Sequence, residues 1–387
     1  MNPEEKYHKE LKKCVRCGSC KATCPTYSLK HSESLGPRGR LRLLWALSTG
    51  ELEPTQAMAD RVFSCLLCGA CSRQCSAGVN ILEAMYHGRG VLRGADRGGR
   101  ALRRVLRFVL KRPRLSFRFF RLTQPFLGPL LARAGLAEGT LKPAEYTLKD
   151  VGTVFSPANI RDKKGRVLLF SGCSVNYVYP HLGESFIRVC NALGYEVVLP
   201  KREVCCGAPL RALGLTDDAR KFALRNVEAL RGLKADAIVS LCPTCVITLK
   251  DHYRELTGDG IDAVDTITFL SDKIKAKPAL DVRAAYHDPC HALYGLGQYA
   301  EPRELLRSIG VDIVDMENGC CGMAGTFSLS FKTLSDALLK RRVEEFEKTG
   351  AEILVTSCPG CLFQLSKSVP SARVFHAVEV IEEGLLK

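Results

Sequence analysis

Eighteen of the nineteen cysteines in this chain fall into four groups, and their spacing is the strongest sign of chemistry in the sequence. The first group is CVRCGSCKATCP, with Cys14, Cys17, Cys20 and Cys24; the second is CLLCGACSRQCS, with Cys65, Cys68, Cys71 and Cys75. Both have the C-x2-C-x2-C-x3-C spacing that brings three thiolates round one four-iron cluster, while the fourth cysteine of each run typically ligates the neighbouring cluster. The expected ligand sets are therefore Cys14, Cys17, Cys20 and Cys75 for one cluster, and Cys65, Cys68, Cys71 and Cys24 for the other. Small residues at Gly18 and Gly69 let backbone N–H groups approach the sulfurs. The alternative is a pair of zinc ribbons, which take four ligands from two separated knuckles. A compact run of four thiols, present twice, fits that poorly. Ser76 stands where the first run has Pro25, which affects the turn and leaves the ligands in place.

The third and fourth groups are copies of one another. Cys173, the adjacent pair Cys205 and Cys206, and the CPTC residues Cys242 and Cys245 form one set. Cys290, Cys320 and Cys321, and the CPGC residues Cys358 and Cys361 form the other, at offsets of 115–117 residues. So regular a period marks a duplicated unit. Five thiolates per copy exceed what one cubane or one zinc needs. A cluster distorted away from the cube could place adjacent thiolates on different irons, with Gly207 or Gly322 relieving backbone crowding at the turn.

The elements that must position these groups alternate between strand and helix. RVLLFSGC and RAAYHDPC read as strands ending at a cysteine, YEVVLP and VDIVDM as second strands before each Cys-Cys-Gly turn. TDDARKFALRNVEALRGL and TLSDALLKRRVEEFEKTG are amphipathic helices. ADAIVSLCPTC and AEILVTSCPGC are strands running into loops broken by Pro243 and Pro359. Such alternation predicts small α/β units with parallel sheets, with the cysteines at the carboxyl ends of the strands, where such sheets place ligands. The expected class is mixed α and α/β. Residues 1–92 form a helical two-cluster ferredoxin-like domain and 93–160 a basic helical connector. Two duplicated α/β domains follow, at 161–277 and 278–387.

The two cysteine runs, the two C-CCG-CxxC blocks and the phrases GPRGRL and TSCPGCLFQL resemble the CCG-domain iron–sulfur family over nearly the whole chain. That family includes heterodisulfide reductase catalytic subunits and the iron–sulfur subunits of glycolate oxidase and related lactate dehydrogenases. The resemblance implies two cubane 4Fe–4S clusters and two noncubane 4Fe–4S clusters, the latter held by Cys173, Cys205, Cys206, Cys242 and Cys245, and by Cys290, Cys320, Cys321, Cys358 and Cys361. Glycolate oxidase subunits often lack some cysteines of the first block. Completeness here points toward the heterodisulfide-reductase-like branch, with electron-transfer subunits of large anaerobic complexes such as benzoyl-CoA reductase. The implied role is an electron-transfer subunit beside a flavin-containing partner. The alternatives are a subunit of a glycolate or D-lactate dehydrogenase, and an enzyme that itself reduces a disulfide at the noncubane clusters. No G-x-G-x-x-G follows a strand, so no flavin is expected in this chain. His287 and His291 flank Cys290 and could donate protons to a leaving thiolate; hydrogen bonding to cluster ligands or plain packing explains them equally.

The chain has 387 residues, 46% apolar and 25% charged, as in ordinary globular proteins. No run of 18 apolar residues and no secretory signal is visible, so the expected location is cytoplasmic or peripheral to the inner membrane. The formal charge of +15 is uneven. Residues 88–133 hold 13 Lys and Arg against one acid, Asp96. Leu102, Val105, Leu106 and Val109 give this stretch helical apolar spacing, which suits an acidic partner subunit or membrane surface better than nucleic acid. Cys190 shares a helical face with Phe186 and Leu193 and reads as a core residue. Tyr177, Tyr179 and His181 are read as either a cluster shield or loop packing.

Overall fold

The computed structural model describes residues 3–133, 144–158, 163–274 and 279–387. The expected boundaries at 160/161 and 277/278 lie outside the described residues. The chain divides into two compact units. The first comprises Met1–Arg107, Pro209–Ala219 and Gly319–Arg341; the second comprises Phe108–Ala208, Arg220–Asn318 and Arg342–Lys387.

The first unit is helical. Its helices include Pro3–Lys12, Pro37–Ser48, Gln56–Phe63 and Ile81–Leu92. Local chemistry starts them. Pro37 supplies a preset φ at the first helical position. Thr55 accepts the Met58 N–H at 3.2 Å, and Asn80 accepts that of Glu83 at 3.1 Å. Their apolar faces meet in a core that includes Leu44, Ala59, Val62, Ile81 and Met85. The two cysteine runs repeat one backbone conformation. Arg16 and Leu67, each just before the second cysteine of its run, have φ of 61° and 55°. Gly18 and Gly69, each just after it, have φ of 87° and 82°. These left-handed residues curl the loops so that successive cysteines face inward, and glycine adopts them without penalty.

Among the described residues the second unit holds nine strands in two sheets. β1 (Val154–Phe155), β2 (Gly165–Leu169), β3 (Tyr195–Val198), β4 (Ala237–Ser240) and β5 (Ala263–Asp265) are ordered β1-β3-β2-β4-β5. β6 (Val282–His287), β7 (Val311–Asp315), β8 (Ile353–Thr356) and β9 (Val374–His376) are ordered β7-β6-β8-β9. All pairings are parallel except that of β1 with β3. The order β3-β2-β4-β5 therefore recurs as β7-β6-β8-β9, and the cysteine period has its counterpart in topology. The central strands are buried on both faces, which is why they read as near-continuous apolar runs. Phe155 of β1 pairs with Val197, so residues 154–155 of the expected connector extend the first sheet as an edge strand. The short strands β1, β5 and β9 escape a reading of the sequence because segments of two or three residues carry no periodicity.

Arg100–Lys111 and Pro113–Arg133 are helices, as the apolar spacing of the basic stretch predicts. Phe117 stacks on Tyr177 at 4.8 Å between ring centroids. Leu115, Phe119 and Leu122 of the same helix are exposed, next to Arg114, Arg118 and Arg121. Among the described residues no helix is long and apolar enough to cross a membrane.

Candidate metal centres

In the first unit the eight cysteines gather as two sets of four. Cys14, Cys17, Cys20 and Cys75 line one cavity, together with Arg38, Val79 and Ile81. Cys24, Cys65, Cys68 and Cys71 line another, with Thr26, Arg40 and Met85. The fourth cysteine of each run thus stands with the first three of the other. Burial pushes the Cys20 thiol up to about 11, helped by Cys14, Cys75 and Cys17. Burial raises Cys71 further, followed by Cys65, Cys24 and Cys20. A cation entering either cavity displaces the protons of Cys20 and Cys71, so metal uptake there releases protons. Zinc would be an undemanding tenant for either cavity, but two four-thiol pockets built from two interleaved runs are what paired iron–sulfur clusters need.

In the second unit the first CCG block forms a five-thiol site at the carboxyl ends of its strands. Cys173 lies in the helix Gly172–Tyr177 that follows β2. Cys242 precedes, and Cys245 lies within, the helix Pro243–Ile247 that follows β4. The adjacent pair diverges: Cys205 Sγ lies 3.7 Å from Cys173 Sγ, while Cys206 Sγ lies 3.3 Å from Cys245 Sγ. Neighbours in sequence thus serve different partners in space, as a distorted cluster requires. Hydrogen bonds from Cys205 and then Cys245 hold the Cys206 thiol well below its ordinary range. Cys245 and then Cys358 do the same for Cys242. Hydrogen bonding within the set therefore favours the thiolate form, the one that binds metal, at Cys206 and Cys242.

A polar latch fixes the Cys205–Cys206 peptide. Asn226 donates to the Cys205 carbonyl at 3.1 Å and to Tyr253 Oη at 2.7 Å, and it accepts the Val204 N–H at 2.8 Å. Tyr253 in turn donates to the Cys206 carbonyl at 3.0 Å. Sequence reading misses both residues. Asn226 leaves a signal, since it interrupts the buried face formed by Phe222, Ala223 and Leu230; Tyr253 leaves none. Glu203 is buried beside this loop, bonded to the Ser171 hydroxyl and 3.3 Å from Lys149 Nζ. Burial raises its carboxyl pKa.

Cysteines of the second block belong to both units. Cys320 and Cys321 lie in the first, where Gly322 N–H donates to Cys320 Sγ at 3.3 Å and the Ser335 hydroxyl donates to the Gly322 carbonyl at 2.9 Å. Cys290, Cys358 and Cys361 lie in the second. There His287 ends β6 with 1% exposure, and a nitrogen of its ring lies within 4.8 Å of Cys361 Sγ. Neither ring nitrogen has a hydrogen-bond partner among the described residues. The matching position of the first block is Phe170. His291, the other histidine flanking Cys290, has Nδ1 2.7 Å from Thr244 Oγ1 in the CPTC loop. Cys190 is fully buried in the helix Pro180–Ala192, and burial raises its thiol pKa. Tyr177 packs on Phe117, and the His181 ring meets Tyr179 edge-on and lies 3.5 Å from Glu379.

Comparison with known proteins joins these sites to a lineage. A cysteine-rich domain model matches residues 167–250 and again 284–366, and a 4Fe-4S dicluster domain model matches residues 10–79. The glycolate oxidase iron–sulfur subunit of Escherichia coli is 30% identical over 403 residues, covering 97% of this chain and 95% of that protein. The chain belongs to the CCG-domain iron–sulfur family. A subunit of the dihydromethanophenazine:CoB–CoM heterodisulfide reductase from Methanosarcina barkeri is 28% identical, covering 97% of this chain and 94% of that protein. A subunit of the CoM/CoB fumarate reductase from Methanothermobacter marburgensis is 28% identical over 97% of this chain and 72% of its own length. These family members are iron–sulfur subunits of oxidoreductases, and the cysteine sets described above fall within the matched regions.

Proposed function

We propose that this CCG-domain protein is the electron-transfer subunit of a multi-subunit oxidoreductase, passing electrons between a flavin-containing partner and its own CCG sites. In this reading Cys14, Cys17, Cys20 and Cys75 hold one cubane cluster, and Cys24, Cys65, Cys68 and Cys71 hold a second. Noncubane 4Fe–4S clusters occupy the two CCG blocks. Bound there, such clusters accept and release electrons at potentials set by the surrounding charge and hydrogen bonds. The observation that carries the proposal is the divergence of Cys205 and Cys206, both buried, toward Cys173 and Cys245 within one five-thiol set. A single tetrahedral metal has no use for a fifth thiol in that arrangement. The named relatives, subunits of glycolate oxidase and of two reductases, support a role beside other subunits. The outward row of Leu115, Phe119 and Leu122, flanked by arginines, suits an acidic face on such a subunit. Salt-sensitive pelleting with anionic liposomes would point to a membrane surface instead.

A second reading, reduction of a disulfide at the CCG sites, is favoured by one feature. The CPTC and CPGC loops of the two blocks meet through a Cys358–Cys242 thiol hydrogen bond, next to the contact of Thr244 with His291. Anaerobic purification, an iron count and EPR across a reductive titration test the proposal. About 16 irons per chain, the sum of four four-iron clusters, is the expected result. About 8 irons with cubane signals alone would overturn the CCG assignment. A new paramagnetic signal on adding a thiol after oxidation would favour the disulfide reading.

A further inference from the structure

The first unit contains four buried arginines among the described residues, and they divide into two kinds. Arg103 pairs with Asp96 at 2.6 Å, and Arg211 pairs with Glu83 at 2.6 Å. Arg40 and Arg89 have no carboxylate within ion-pair distance among the described residues. Arg40, 1% exposed, donates to the Arg61 carbonyl at 2.7 Å and to the Ser64 carbonyl, Ser64 hydroxyl and Thr26 hydroxyl, each at 3.1 Å. Arg89, 5% exposed, donates to the carbonyls of Val62, Phe63 and Cys65, and to that of Ala212 at 2.8 Å. Neutral oxygens accept hydrogen bonds from both guanidiniums but leave their charge uncompensated, which a protein interior tolerates poorly.

Both charges flank the same four cysteines. Arg40 lines the cavity of Cys24, Cys65, Cys68 and Cys71, and its partner Thr26 lies 3.3 Å from Cys24 Sγ. Arg89 binds the backbone of Cys65 directly. The other cavity has no such charge among the described residues. Two arginines line it: Arg16 is exposed, and Arg38 is partly exposed and is neutralised by Glu33 through bonds of 2.7 and 3.0 Å. Residues two apart in GPRGRL thus meet opposite electrostatic conditions.

We propose that Arg40 and Arg89 are the built-in counter-charge of the cluster held by Cys24, Cys65, Cys68 and Cys71, and that they make it the more easily reduced of the N-terminal pair. A thiolate-ligated iron–sulfur cluster is anionic, and reduction adds one more negative charge. Two fixed positive charges in a low-dielectric pocket stabilise the reduced form over the oxidised one and raise the potential. An electron entering the N-terminal pair comes to rest on this side. Arg40 and Arg89 are positioning residues for charge, acting through the cluster and not on a substrate. The inference rests on the proposal that these eight cysteines hold two clusters.

The test is an EPR-monitored redox titration of the full chain, reduced with dithionite under anaerobic conditions. The signal of interest is assigned by its loss in Cys68→Ser. Arg40→Gln and Arg89→Gln are each expected to lower the reduced-to-oxidised ratio of that cluster tenfold or more at a fixed potential, equivalent to about 59 mV for one electron. Arg40→Lys keeps the charge and should stay within about threefold of wild type, and Arg42→Gln, at an exposed residue paired with Glu51, should move neither cluster. Equal shifts for Arg40→Gln and Arg40→Lys, or no shift for Arg40→Gln, overturn the proposal. If the Gln variants take up no iron at this site while Arg40→Lys does, the charge requirement stands. If Arg40→Lys also takes up none, the fork geometry matters and the counter-charge idea falls. A wild-type chain that binds no cluster at these eight cysteines refutes the cluster assignment instead, and iron analysis separates the two failures.

Discussion

The latch on the Cys205–Cys206 peptide gives a prediction whose size follows from its geometry. Asn226→Ala leaves the Val204 N–H and the Cys205 carbonyl without the amide that served them at 2.8 and 3.1 Å. Each orphaned group costs about 1–3 kcal/mol, so the variant should lose about 2–6 kcal/mol. Tyr253→Phe orphans the Cys206 carbonyl and removes one acceptor of Asn226, for about 1–3 kcal/mol. The two residues share the 2.7 Å bond between Asn226 Nδ2 and Tyr253 Oη. The double variant should therefore cost less than the sum of the singles, by about 0.5–3 kcal/mol. Urea unfolding of the metal-free chain, followed by far-UV circular dichroism, measures all three. In the loaded protein Asn226→Ala should weaken or reshape the EPR signal of the first CCG site while the signals of the N-terminal clusters persist. A loss below about 0.5 kcal/mol for Asn226→Ala, the range of ordinary surface changes, would show that the latch does not hold the loop. Strict additivity in the double variant would show that the two residues act separately.

Three further outcomes are expected. Cys75→Ser should disturb the same EPR signal as Cys14→Ser, and Cys24→Ser the same signal as Cys65→Ser; the reverse grouping would contradict the interleaved cavities. At Gly322, with φ +84°, an added Cβ would sit 2.6 Å from the Ser335 carbonyl oxygen. Gly322→Ala should thus cost at least about 1–3 kcal/mol and lower iron uptake at the second block, whereas Gly50→Ala, which meets nothing nearby, should retain full iron content. His376 is fully buried, accepts the Val378 N–H at 3.2 Å and donates to the Leu241 carbonyl at 3.3 Å, so burial lowers its pKa from 6.5 to about 4. The unfolded chain then binds the proton more tightly than the folded one. Stability is fully present above about pH 6.5 and declines as pH falls toward 4, by up to roughly 3 kcal/mol. Urea midpoints of the metal-free chain between pH 7.5 and 5 should fall more steeply for wild type than for His376→Asn; parallel curves would remove His376 as the cause.

Much of this protein is legible in its sequence because iron–sulfur ligation is written in short spacings. Loops of two or three residues between cysteines leave few ways to hold a metal, and a period of about 116 residues with matching phrases specifies a duplicated α/β unit. The strands before Cys173, Cys242, Cys290 and Cys358 are equally visible, since parallel strands buried on both faces read as near-continuous apolar runs. The interleaving of the two N-terminal runs is likewise an expectation of the spacing; in the fold Cys24 lines a cavity with Cys65, Cys68 and Cys71, and Cys75 lines one with Cys14, Cys17 and Cys20.

Tertiary structure alone decided what surrounds those sulfurs. GPRGRL offers two arginines of the same type, yet side chains two apart on a helix point to different sides. Arg38 consequently meets Glu33 near solvent while Arg40 enters the core. Arg89 sits in a stretch whose total charge suggests a surface, and only folding shows it enclosed among carbonyls. Asn226 and Tyr253 are 27 residues apart and converge on one peptide. His287 and Phe170 occupy matching positions in the two copies, and burial gives only the histidine an unmet need for partners. Sequence determined which cysteines are spaced to act together, because that spacing is set by local covalent reach. Charge, hydrogen bonding and burial around them depend on residues brought together from far along the chain, and only the fold places those.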